Sequence, residues 1–150
     1  MKSITRLTLS LALFVLAGSI GAQEGPIKYR QGVMAAQGGH AGAIAQIAYG
    51  GVDHNEQLVA HIDALAALSG MIVSAFEENA FVMEDTPSSA KAVIWERWDE
   101  FQEKAGDLES AVSAFSVAVK GADADAFGGK LDGVWDACKG CHETFRKKKE

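Results

Sequence analysis

The sequence predicts an all-α protein, an antiparallel up-down-up-down four-helix bundle. Apolar residues recur at steps of three and four, sustained alternation of apolar and polar residues is lacking, and only short breaks separate the helical segments. The chain has 150 residues, two of them proline and 48% of them hydrophobic. This length and composition suit one helical domain.

The first 22 residues are predicted to be a secretory signal peptide. Lys2 and Arg6 come early, an apolar run follows from Leu7 to Ala17, and small residues lead to a cleavage site after Ala22. The run of about eleven residues is short for a bilayer span, although an uncleaved membrane anchor is the alternative. We therefore expect residues 23–150 to form the domain, without a membrane span, in the periplasm.

The charge of the chain argues against nucleic acid as a partner. Without Lys2 and Arg6, twelve basic residues face twenty acidic ones, so the net charge moves from −6 to −8. An acidic domain without a basic stripe lacks the feature that neutralises phosphates.

Four helices are expected, with a looser stretch between the second and the third. Pro26 suits a first helical turn, and Gly121 suits a helix end. The predicted spans run from Pro26 to residues 49–51, from a cap at Asp53 or Asn55 to about Phe76, from about Ala90 to Lys120, and from Asp123 or Asp125 to the terminal lysines.

Helices 2, 3 and 4 each carry one apolar stripe, as a bundle requires. The stripes are Leu58, Ile62, Leu65, Ser69, Ile72 and Phe76; Ile94, Trp98, Phe101, Ala105, Leu108, Val112, Phe115 and Val119; and Phe127, Leu131, Val134, Cys138, Cys141 and Phe145. Both cysteines therefore face the core.

Helix 1 has a less regular stripe. One candidate stripe contains Ile27, Arg30, Met34, Gln37, Ala41, Ile44 and Ala48, and a shifted one passes through Val33, His40 and Ile47. Gly38 and Gly39 each cost about 1 kcal/mol in helix propensity. A large planar ligand would explain polar and small residues in this half of the helix.

Residues 138–142 read Cys-Lys-Gly-Cys-His, the C-x-x-C-H signature of covalent haem attachment. Residues three and four apart share one face of a helix. Cys138 and Cys141 can therefore bond the two vinyl groups of one porphyrin, while His142 reaches the iron. The motif predicts one covalent haem c per chain, at one end of the bundle.

Three other interpretations of the two cysteines are weaker. A thioredoxin-like pair belongs at a strand-to-helix junction, whereas this pair lies well inside a helix. A zinc site needs about four ligands, and His40, His54 and His61 show no paired spacing. A disulfide between positions three apart closes a very small loop and stabilises little.

The bundle topology places Met34 near the motif. The end of helix 4 lies beside the start of helix 1, and at 1.5 Å per residue both Met34 and Cys141 sit about 12–14 Å from the same end. Met34 is thus expected to face the haem from the side opposite His142.

These features resemble the class II c-type cytochromes, the cytochrome c′ family. The resemblance lies in residues 28–34 (Lys-Tyr-Arg-Gln-Gly-Val-Met), Ile94-Trp95 and residues 138–146 (Cys-Lys-Gly-Cys-His-Glu-Thr-Phe-Arg). It implies that Cys138 and Cys141 form thioethers, that His142 is the proximal axial ligand, and that Arg146 lies near its imidazole. It also implies that Arg30 lies at the haem edge, where it could pair with a propionate.

The family resemblance leaves two functions open at Met34, the distal position. If Met34 ligates the iron, the iron is low-spin and the protein is an electron carrier that exchanges electrons with redox partner proteins. This is our leading expectation. An open distal site makes a five-coordinate binder of NO or CO. A haem subunit of a larger complex is a third option, and the resemblance allows a homodimer through helices 1 and 2.

Other residues offer no clear second chemistry. Neither paired carboxylates nor a nucleophile–base arrangement is evident, so we do not expect an enzyme. His40, His54 and His61 are weaker alternatives as sixth ligand. The run Lys147-Lys148-Lys149 is expected to complement the negative end of helix 4, or to help dock an acidic redox partner.

Overall fold

The computed structural model describes residues 20–79, 88–121 and 124–148, except for the side chains of residues 20–23 and 124–128. Residues 1–19 of the predicted signal peptide, Pro87, the cap at Asp123 and the side chains of Asp125 and Phe127 thus lie outside what is described. The helices are α1 (Ile20–Ala48), α2 (Leu58–Ser69), α3 (Ile72–Phe76), α4 (Val93–Glu96), α5 (Trp98–Lys120) and α6 (Ala124–Phe145).

The predicted four-helix bundle is confirmed. The first helix is α1, the second is α2 with α3, the third is α4 with α5, and the fourth is α6. α1 packs against α2 and α3, α2 packs against α5, and α5 packs along α6. Among the described residues no strand occurs, and one isolated antiparallel bridge joins Ala90 to Arg146.

α1 begins before Pro26, so the predicted helix start at that proline was wrong. Pro26 lies inside the helix and removes one backbone hydrogen bond. Glu24 and Lys28 span the proline with an i,i+4 ion pair whose Oε1 and Nζ atoms are 2.9 Å apart. Helical geometry thus continues on both sides of the missing bond.

Helix 2 is interrupted at Gly70, where one continuous helix was predicted. Met71 N–H donates to the Leu68 carbonyl at 3.1 Å, an i→i−3 bond, and Ser69 Oγ donates to the Ala66 carbonyl at 2.9 Å. These bonds compete with the α-helical pattern beside a glycine of low helix propensity. The predicted caps were also wrong, because a 3₁₀ turn (Asn55–Gln57) precedes α2 and the Asn55 side chain donates to Asp53 instead.

Helix 3 is divided at Arg97 and begins at Val93, later than predicted. Arg97 has φ −124° and ψ 50°, which ends α4 and starts α5. The break lets Trp95 Nε1–H donate to the Phe76 carbonyl at 2.8 Å. α4 is thereby joined to the end of α3.

The predicted stripes form the core. Their described members are buried or half-buried on α2 to α6, and on α1 both candidate stripes contribute, so its buried face is wider than either. The most deeply buried apolar side chains are Ile44, Ile62, Leu65, Ile94, Val112, Phe115, Leu131 and Val134.

Candidate haem site

α6 ends at Phe145, before the terminal lysines, because its last turn pairs with the segment 89–91. Lys91 N–H donates to the Phe145 carbonyl at 3.0 Å, and Lys147 N–H donates to the Ser89 carbonyl at 2.7 Å. Lys91 Nζ donates to the carbonyls of Glu143 and Thr144 at 3.1 and 2.9 Å. Lys91 thus caps the negative end of α6. The complementary role expected of residues 147–149 stays a prediction.

We expect Lys91→Met to destabilise the protein by about 2 kcal/mol, because two carbonyls lose a charged donor. Lys28→Met is the matched control, since its exposed i,i+4 pair is worth only about 0.3–0.5 kcal/mol. Urea unfolding of both variants in the haem-loaded form measures the difference. Equal midpoints for the two variants would show that Lys91 does not hold the end of α6.

A cavity of about 500 Å³ lies inside the bundle at this end. Residues of all six helices line it, and α6 contributes Cys138, Cys141 and His142 while α1 contributes Met34. Small and polar residues of α1 form much of one wall: Gln31, Ala35, Gln37, Gly38 and Ala41. The irregular half of helix 1 therefore borders a cavity, and its size is that of a small-molecule or cofactor site.

The two cysteines are free thiols on neighbouring turns of α6. Burial raises the pKa of Cys138. Burial and the neighbouring Cys138 raise the pKa of Cys141 to about 11, against a smaller opposing effect of Lys104. Both sulfurs thus stay protonated at neutral pH and are half-buried in the cavity wall.

His142 lies one residue beyond Cys141 and also borders the cavity. Loss of hydration and then the positive charge of Arg146 lower the pKa of His142. Its imidazole therefore remains neutral to a lower pH than an ordinary histidine, and a neutral ring nitrogen can ligate a metal. Arg146 borders the same cavity, as its predicted place beside His142 requires.

Met34 reaches the cavity from α1, while the cysteines and His142 reach it from α6. The Met34 side chain is half-buried and packs against the core. The topology argument from the sequence therefore placed Met34 at the correct end of the bundle.

Arg30 lies behind the cavity wall and is not among the described residues that line it. It is 2% exposed, with its guanidinium carbon 5.4 Å from the centre of the Phe76 ring and 5.1 Å from that of Trp95. Burial lowers the pKa of Arg30, and the carboxylate of Glu78 opposes that shift. The haem-edge role that the resemblance implied for Arg30 stays a prediction.

Lys104 is a cavity residue that the sequence analysis missed. Lys104 follows Phe101 by three positions and precedes the stripe residue Ala105. Its place beside the apolar stripe could therefore have predicted that it reaches the interior. Besides His142, the charged side chains among the described lining residues are Lys104 and Arg146, and no carboxylate is among them. An apolar cavity with two cations fits a haem, which is apolar except for two carboxylates.

The remaining histidines and tryptophans lie outside the described cavity lining. His40 contacts His61 between α1 and α2, and His54 lies in an exposed turn beside Glu56. Trp95, Trp98 and Trp135 are half-buried against the core. Trp135 Nε1–H donates to Tyr49 Oη at 3.1 Å, which joins α6 to the residue after the end of α1.

Comparison with known proteins identifies the family. Residues 25–146 match the family model described as cytochrome C′. The chain belongs to the cytochrome c′ family. As a member of this family it is a haem protein, and the cavity that holds the C-x-x-C-H residues is its candidate haem site.

Several relatives match nearly the whole domain. The chain is 34% identical over 124 residues to cytochrome c′ of Pararhodospirillum photometricum, covering 83% of this chain and 98% of the relative. It is 30% identical over 149 residues to cytochrome c-556 of Agrobacterium fabrum, covering 99% and 97%. A nitric oxide complex of a cytochrome c prime variant from Alcaligenes xylosoxidans is similar at a TM-score of 0.74 and 26% identity, covering 85% and 97%.

Proposed function

We propose that this chain is a periplasmic electron-transfer protein with one covalent haem c. The observation that carries the proposal is the shared cavity: two thiols and an imidazole from α6 and a thioether from α1 border the same space. The bound haem would supply an iron that changes valence, and the protein would set its ligation and burial.

Cys138 and Cys141 hold the cofactor in this proposal. Each thiol would add across one vinyl group, so that a carbon–sulfur bond forms and the thiol hydrogen passes to the vinyl carbon. The spacing on one face of α6 and the protonated state of both sulfurs suit this addition. Lys104 and Arg146 are the cations available to the two carboxylates of the ligand.

His142 is the proposed proximal ligand and Met34 the proposed distal one. The lowered pKa of His142 keeps the ring nitrogen available. Met34 is half-buried and packs against the core, so part of its side-chain freedom is already restricted before it binds. Two fixed ligands favour electron transfer because the iron site then changes little between valence states.

The location and partners form a further part of the proposal. The predicted signal peptide directs export, and covalent haem attachment belongs outside the cytoplasm. None of the described helices is long and apolar enough to cross a membrane. We propose redox partner proteins rather than a substrate, and therefore a carrier rather than an enzyme.

Binding of NO or CO is the second candidate function. The observation that favours it is the similarity to a relative solved as a nitric oxide complex. It requires that the Met34 side chain leave the distal position open or vacate it easily. The two candidate functions therefore differ in whether the Met34 side chain ligates the iron.

Replacement of Met34 tests the choice between them. We expect the reduced wild-type protein to keep its spectrum under CO, and Met34→Leu to gain a CO-dependent shift. A Met-to-Leu exchange conserves volume and costs under about 1.5 kcal/mol, so the fold should persist. Met71→Leu is the matched control because Met71 is exposed and lies outside the described cavity lining. A CO shift already present in the wild type, and equal in both variants, would favour gas binding.

A further inference from the structure

His40 on α1 and His61 on α2 form a pair of facing imidazoles away from the haem site. Their Nδ1 atoms are 3.0 Å apart, and their ring centres are 5.2 Å apart at an interplanar angle of 58°. Both side chains are half-buried, and neither is among the described residues of the cavity wall. The proposed electron-transfer function makes no use of this pair.

The spacing between the two rings is set by the packing of two helices. Gln37, three residues before His40, donates through Nε2 to the Leu68 carbonyl at 3.1 Å and joins α1 to α2. Ile44, one turn after His40, and Ile62, beside His61, are 1% and 0% exposed in the core. The rings therefore stay close unless α1 and α2 separate.

We propose that His40 and His61 bind a divalent transition-metal cation such as Zn²⁺ through their Nδ1 atoms. With zinc–nitrogen distances of 2.0–2.1 Å, two nitrogens of a tetrahedral site lie about 3.3 Å apart. The observed separation is within a few tenths of an ångström of that value. The ring that donates through Nδ1 shifts its proton to Nε2, so neutral imidazoles bind and no proton is released.

Solvent completes the coordination of this cation. In the part of the chain that the structure describes, no group of three or more His, Cys, Asp or Glu side chains is arranged to hold a metal ion, so this site has two protein ligands. Both imidazole side chains are only half-buried, so solvent reaches the pair. Water can therefore supply the remaining ligands, and the acidic chain favours a bound cation.

Isothermal titration of the haem-loaded wild-type protein with zinc chloride tests the site. We expect binding of one Zn²⁺ per chain, and at least a tenfold loss of affinity in both His40→Gln and His61→Gln. Loss of a residue that only hydrogen-bonds to a metal ligand already lowers metal affinity about 10–100-fold. Loss of a ligand itself should lower the affinity by at least as much. His54→Gln is the matched control, because His54 is exposed in the turn beside Glu56.

A measurement on the unaltered protein guards against variants that fail to fold. Zinc should protect His40 and His61, but not His54, from modification by diethyl pyrocarbonate, as read by mass spectrometry of the peptides. The haem spectrum should not change, which separates this site from the haem ligands. Absence of zinc binding, affinity that survives either substitution, or protection of His54 to the same extent would overturn the proposal.

Discussion

Replacing both Cys138 and Cys141 with alanine should abolish covalent haem attachment. The wild-type protein should retain its haem in denaturant, and its intact mass should exceed that of the polypeptide by one haem. The double variant should show the polypeptide mass, and any haem it carries should be extracted by acidified organic solvent. Without the thioethers, haem binds only by mass action, so its retention depends on its free concentration.

Lys139→Ala is the control for this experiment. Lys139 lies between the two cysteines, is exposed, and pairs only loosely with Glu143, with Nζ and Oε1 3.9 Å apart. Its removal should leave the haem covalently attached. Covalent haem in the double cysteine variant would refute the attachment site, whereas its loss from the Lys139 variant would show that the assay reports general damage.

Replacing His142 with alanine should change the iron spectrum while leaving the haem covalently attached. The axial nitrogen is lost, but the two thiols on the preceding turn remain in the cavity wall. We expect loss of the wild-type Soret position and of the sharp reduced bands, with recovery on addition of free imidazole. The His142 side chain is exposed, so the fold itself should be little affected.

His54→Ala serves as the matched control for the axial ligand. His54 is exposed and is not among the described residues that line the cavity, so its removal should leave the spectrum unchanged. A His142→Ala spectrum identical to that of the wild type would contradict the proximal assignment, whatever the control shows.

The bundle, and the meeting of the C-x-x-C-H residues with Met34 at one cavity, could be predicted largely because both depend on helical periodicity. Steps of three and four put Phe101, Leu108 and Phe115 in the core, and the same steps put both cysteines in the cavity wall. The antiparallel topology then brought Met34 to the same end. These inferences need only the rise and period of a helix.

The breaks at Gly70 and Arg97 could not be read from the same pattern. Each depends on contacts between elements: the Ser69 hydroxyl competes for a helix carbonyl, and Trp95 binds the end of α3. The end of α6 likewise depends on Lys91, a residue about fifty positions earlier in the chain. Tertiary contacts of this kind leave no periodic signal in the sequence.

The position of Arg30 shows the same limit at the candidate site. The family resemblance implied a charge at the haem edge, and the helix 1 stripe did predict that Arg30 faces inward. The rings of Phe76 and Trp95 receive its guanidinium, whereas Lys104 and Arg146 border the cavity. Which inward cation meets a ligand depends on side-chain packing that spacing does not specify.

The visible spectrum of the purified wild-type protein, ferric and dithionite-reduced, before and after addition of CO, tests the central claim most directly. Ligation by His142 and Met34 predicts a low-spin spectrum with sharp reduced bands, a far-red methionine–iron charge-transfer band in the ferric form, and no response to CO. A high-spin spectrum that shifts with CO would contradict methionine ligation and assign the protein to gas binding.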